Sequence, residues 1–156
     1  MSTPIRVTAQ TMGVTVFNTK HATLEWTPDG RIRIVQVEPG AQPVVLLDTP
    51  PQGLKSVSNH TVNQSMLVFK PQTGPAIKVS LLGSMLAPEP DESADSYARR
   101  AATTGVPPQS WWVESLAGSG VKVDNWGWGK TFAIAGGIVV GIIVVSLLAF
   151  ALSGGF

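Results

Sequence analysis

The chain has 156 residues, a formal net charge of +1, 13 % charged residues and no cysteine. Charge this close to balance excludes a chain-wide nucleic-acid-binding surface. The lack of cysteine excludes a disulfide framework, thiolate chemistry and a Cys-based metal site.

Residues 1–82 read as one β-rich domain, because short β-branched and apolar runs alternate with Gly, Pro, Asn and Asp. Ile5–Thr8 and Gly13–Phe17 are the first runs, and Ala22–Thr27 alternates up to Pro28-Asp29-Gly30. Arg31–Val37 alternates in turn, so Pro-Asp-Gly is the clearest hairpin signal of the chain. Val44–Leu47, Leu54–Ser58, Ser65–Lys70 and Ala76–Leu81 follow, the last two joined by Gln72-Thr73-Gly74. The expected fold is mainly β, a small antiparallel sandwich or open barrel of six to eight strands.

Residues 83–125 read as a Pro/Gly-rich linker. Asp91 or Ser93 is placed to cap a short helix near 93–103, with acids in its first turn and arginines toward its last. Gly105 and Pro107-Pro108 stop it. Trp111 and Trp112 are partner-contact candidates, since a Trp pair in a segment of weak pattern packs against something: the underside of the β domain, a partner or a membrane interface.

Taken in order, the hairpin LEWTPDGRIRIVQV, the segment LKSVS and the strand–turn–strand SMLVFKPQTGPAIKVSL resemble a bacterial pleckstrin-homology-like or GRAM-like domain over residues 14–82. The family closes one end of its barrel with a helix of the form W-x-E-x-L, which Trp112-Val113-Glu114-Ser115-Leu116 matches, although about 30 residues separate it here from the last strand. The resemblance implies a binding scaffold for lipid head groups or proteins, not an enzyme.

Thr131 to Leu152 carries no charge, and as a helix would be roughly 33 Å long, enough for a bilayer core of about 30 Å. It reads as a transmembrane helix followed by a short tail, 153–156, which makes the chain a tail-anchored, single-pass protein. Lys122 and Lys130 precede the run, no Lys or Arg follows it, and MSTPIRVTAQT lacks a signal-peptide core. The expected location is therefore the inner membrane with the β domain cytoplasmic. Trp126, Trp128 and Lys130 form the expected interfacial belt of residues 126–130. Ala133, Gly137, Gly141, Ala149 and Ser153 fall at multiples of four, with Val145 the larger exception, and form an expected helix-packing face.

Chemistry-bearing motifs are sparse. His21 and His60 have no cluster of carboxylates nearby in sequence, and Ser58, His60 and Asp48 lack a nucleophile-elbow pattern. No catalytic residue, cofactor or metal is expected. Seven cations, among them Arg31, Arg33 and Lys55, stand against four acids in the β region; these three are the candidates for lipid phosphate, expected to converge on one loop end. The function expected is a non-catalytic accessory or structural subunit of a larger membrane complex, of electron-transport or photosynthetic type. Its expected partners are membrane lipid and other membrane subunits, or a second copy through the helix face, and no nucleic acid. The alternative is a membrane-tethered pleckstrin-homology-like module that binds lipid head groups or a signalling partner.

Overall fold

The computed structural model describes residues 5–13, 18–60, 66–89, 91–126, 138, 142–146 and 148–149. Two compact units divide the chain at Asn125/Trp126.

In the first unit the alternating runs become strands: β1 (Ile5–Met12), β2 (Thr19–Trp26), β3 (Ile32–Gln36), β4 (Val44–Thr49), β5 (Leu54–His60), β6 (Met66–Pro71) and β7 (Ile77–Ser80). Two helices follow, α1 (Ala94–Thr103) and α2 (Gln109–Gly118), then β8 (Val123–Trp126). A 3-10 turn at Pro51–Gly53 joins β4 to β5. The sheet order is β4-β3-β2-β1-β7-β6-β5-β8. Pairings within β1–β7 are antiparallel.

The Pro-Asp-Gly turn forms as the sequence requires. Thr27 Oγ1 donates to Asp29 Oδ1 at 2.5 Å and accepts the Arg31 N–H at 2.9 Å, while Gly30 takes the left-handed φ of +78°. Core residues come from both halves of the sheet: Val7, Leu24, Ile32, Ile34 and Leu47 from one, Val57, Leu67, Phe69 and Val79 from the other. A single sheet whose two halves share one core has to curl around it.

α2 seals that core. Trp112 and Leu116 are fully buried in it. Trp111 stands edge-on to Trp112, with ring centroids 5.1 Å apart, and edge-on to Trp26 of β2 at 6.2 Å. Gln109 Nε2 ties the start of the helix to Asn59 Oδ1 and to the Met66 carbonyl. The Trp112 indole N–H has no hydrogen-bond partner among the described residues, so apolar contact holds the ring in place.

Residues 84–88 continue past β7 along the free half of β1. The Thr8 N–H donates to the Met85 carbonyl at 2.7 Å, and the Ala87 N–H donates to the Arg6 carbonyl at 2.9 Å. α1 fastens this strap: the Tyr97 hydroxyl donates to the Leu86 carbonyl at 3.0 Å, and Arg100 Nη2 donates to the Ala87 carbonyl at 2.9 Å. Ser93 caps α1, accepting the Ser96 N–H at 3.3 Å.

Several expectations are corrected. The expected linker, 83–125, is part of the first compact unit. It adds the strap, two helices and a strand, because Leu86, Trp112, Leu116 and Val121 have apolar surface to bury. The sheet is mixed, not the purely antiparallel sandwich or barrel expected. β8 lies beside β5, with Val57 N–H donating to the Lys122 carbonyl at 2.9 Å and Asn59 Nδ2 donating to Asn125 Oδ1 at 2.9 Å, contacts that ascend together along both strands.

The expected transmembrane helix over 131–152, and with it the tail-anchored, single-pass, inner-membrane reading, is also corrected. Among the described residues no helix is long and apolar enough to cross a membrane. Within that stretch the described helical residues are 138, 142–146 and 148–149, all exposed. Hydropathy sums side-chain transfer energies, so an apolar run reports how strongly a segment prefers to leave water and does not by itself specify a membrane-crossing helix. Of the expected packing face, Ala149 is described and exposed, while Ala133, Gly137, Gly141 and Ser153 lie outside the described residues, as do Trp128 and Lys130 of the belt. Trp126 ends β8 and is exposed.

Two predictions follow from the packing. Trp112→Ala empties the largest buried side chain of the core and should destabilise the unit by about 3–5 kcal/mol, seen in urea unfolding. Glu92, bonded to Arg100 Nη2 at 2.7 Å and to Arg100 Nε at 2.9 Å, has its pKa lowered to about 2, first by the Arg100 hydrogen bond. A depressed carboxylate stabilises the fold above its unfolded value of about 4.5 and loses that contribution as pH falls toward 2. The difference in melting temperature between the parent chain and Glu92→Gln should therefore be full at pH 6 and vanish near pH 2.

Candidate docking surface

β4 ends the sheet: among the described residues its one partner is β3, and its other side carries no strand. An unpaired edge presents a row of backbone donors and acceptors to whatever approaches. The sequence of β4 makes this edge apolar. Val44, Val45 and Leu46 are 51 %, 56 % and 36 % exposed. Leu47 alone of the apolar run turns into the core, opposite Ile34. The register shifts between Ile34 and Val35, where the pairing passes from Leu47 to Val45 and leaves Leu46 as the extra residue. The bulge breaks the strand's alternation and lets consecutive apolar side chains face outward.

The far end of β4 is charged and rigid. Asp48 stands opposite Arg33 in the register. Its Oδ1 accepts from Arg31 Nε at 2.6 Å and its Oδ2 from Arg33 Nε at 3.0 Å, while its backbone carbonyl accepts from Arg31 Nη2 at 2.8 Å. The Arg31 hydrogen bond, ahead of the Arg33 bond and charge, holds the Asp48 carboxyl below the usual carboxylate range. At the near end, Lys20 Nζ lies 2.6 Å from Glu38 Oε1, and this contact lowers the Glu38 pKa. A cavity of about 210 Å³ lies there, lined by Lys20, Gln36, Glu38 and Val44 among others.

The sequence-predicted site residues fall in different places. Arg31 and Arg33 do converge, but on Asp48, which neutralises much of the charge a phosphate would seek. Lys55 stands exposed on β5, and no hydrogen bond or ion pair joins it to them among the described residues. Trp112 belongs to the domain's own core, and Trp111 is half-buried against it. His21 lies on β2. His60, at the end of β5, has its pKa lowered by burial and then by the charges of Lys70 and Lys78. Asp48 faces the arginines, which gives no support to a Ser58–His60–Asp48 arrangement. Among the described residues no group of three or more His, Asp or Glu side chains is placed to hold a metal ion.

Sequence reasoning missed β4 as an edge. Its apolar run was visible, but strand order was not. It also missed the neighbouring cavity of about 250 Å³ lined by Met12, Asn18, Lys20, Leu46, Ile77 and Lys78. No protein-family model, curated protein or solved structure matches the chain.

Asp48→Asn tests the charge arrangement. The exposed ion pairs contribute at most about 1 kcal/mol, so the fold should persist. Released from their carboxylate, Arg31 and Arg33 should delay elution from a cation-exchange column to higher salt than loss of one negative charge produces in a Glu114→Gln control.

Proposed function

We propose that this chain is a non-catalytic docking subunit of a larger protein complex, joined through the β4 edge. The observation that carries the reading is the run of three exposed apolar residues on an unpaired edge strand. An extended segment of a partner, added antiparallel or parallel to β4, would gain main-chain hydrogen bonds from the edge and cover Val44, Val45 and Leu46. The Asp48 clamp fixes one end of the strand and the 3-10 turn at Pro51–Gly53 ends it, so the edge is held in extended form before a partner arrives. The low charge of the chain fits a surface covered in an assembly.

A photo-crosslinking side chain at Val45 should capture one defined partner in stoichiometric amount in the native extract, and the same group at exposed Glu114 should not. With the crosslinking group kept at Val45, Val44→Lys, which charges the edge, should abolish the capture while leaving the melting temperature within about 2 °C, the scale of an exposed substitution. Equal capture at both positions, or a chain that migrates alone, contradicts the reading.

A second reading, a pleckstrin-homology-like module for lipid head groups, is favoured by Lys78 in the cavity at the end of β2 away from Trp26 and α2. It predicts sedimentation with vesicles containing anionic lipid that is reduced severalfold by Lys78→Ala.

A further inference from the structure

β5, β6 and β7 carry a basic face that the docking edge does not use. Val57, Phe69 and Val79 are fully buried, so the residues on either side of them in these strands turn away from the core. Those residues are Ser56 and Ser58 of β5, Val68 and Lys70 of β6, and Lys78 and Ser80 of β7. Val68 stands opposite both Ser58 and Lys78, and Lys70 stands opposite Ser56. Lys70 and Lys78 are therefore diagonal neighbours on adjacent strands, about 7–8 Å apart. Lys55 is the extra residue where the β5–β6 register shifts, and it adjoins Ser56, the residue opposite Lys70. All three lysines are exposed.

Their charge is uncompensated. Lys20, Arg31, Arg33 and Arg100 each form an ion pair with a carboxylate. Among the described residues no ion pair reaches Lys55, Lys70 or Lys78. The chain entering β8 brings Lys122 and Asp124 beside β5, one charge of each sign, which leaves the balance unchanged. His60, at the end of β5, registers the field: after burial, the charges of Lys70 and Lys78 lower its pKa. Like charges on neighbouring strands repel, and an anion from outside relieves that repulsion.

The form of the face selects the anion. β6 is paired on both sides, with β5 and with β7, so its backbone N–H groups are committed to the ladder. The face thus offers lysine side chains without the main-chain cradle that phosphate sites use. Alternate residues of an extended chain lie about 7 Å apart, which matches the spacing of Lys70 and Lys78. We infer that this face binds an acidic, extended segment of a partner protein, its alternate carboxylates pairing with Lys55, Lys70 and Lys78. The face is separate from β4 in the sheet, so it neither requires nor excludes a partner at that edge.

The test is an NMR titration of the full chain, at physiological salt, with a short synthetic peptide of alternating glutamate and serine. The peptide of alternating glutamine and serine and inorganic phosphate are the comparison probes. Saturable shifts centred on Ser58, Val68, Lys70 and Lys78 are expected with the acidic peptide, none with the neutral peptide, and weaker binding with phosphate. Lys70→Gln should raise the Kd about threefold, and Lys55→Gln with Lys70→Gln about tenfold, the scale of exposed ion pairs. Lys20→Gln should leave it unchanged; this control matters because Lys78 also lines the cavity that Lys20 borders. The inference is overturned by an absence of saturable shifts with the acidic peptide, by an affinity unchanged in the double variant, or by phosphate binding the same residues as tightly as the peptide.

Discussion

Trp112 in the core is the contact on which the rest of the first unit depends. A curled sheet that ends at β4 on one side and β8 on the other leaves its interior open at the ends, and a bulky ring from outside the sheet is the simplest filler. Once α2 is seated, its consequences spread. Gln109 anchors the β5 and β6 ends, Trp111 braces Trp26, and the chain leaving α2 returns along β5 as β8. The strap has to lie along β1 because the path from β7 to α2 crosses there, and α1 secures it through Tyr97 and Arg100. Residues 83–125 are thus as much a part of the fold as the strands before them.

Closure at one end shifts attention to what the sheet leaves open. Among the described residues β4 has no strand beyond it, and its bulge turns consecutive apolar side chains outward. Natural edges are commonly blunted by charge, and here the charge sits on Asp48 at one end and is taken up by two arginines. What remains between the charged ends is an apolar edge of about three residues.

How much of this was legible in the sequence depended on whether the signal was local. The β2–β3 hairpin was, because Thr27, Asp29 and Gly30 act within a few residues of one another. The Ser93 cap of α1 was, for the same reason. The pairing of Arg31 and Arg33 with Asp48 was not, since it needs the β3–β4 register. The burial of Trp112 was only half visible: the sequence offered an underside, a partner or a membrane, and tertiary packing decided among them. The apolar stretch after Lys130 gave the strongest single signal of the chain, and the membrane reading drawn from it was corrected, because hydropathy reports how much a segment prefers to leave water and not what it leaves water for. Edge status and orphaned donors have no sequence signature, as both are properties of what is missing beside a residue.

The most direct test of the docking account is backbone hydrogen exchange across residues 44–49, compared between the purified chain and the same chain in its native assembly. The account predicts rapid exchange of the outward-facing amides of β4 in the purified chain and strong protection of that strand in the assembly, with β6 and β7 unchanged. Equal exchange of β4 in both states, or new protection confined to other strands, would contradict it.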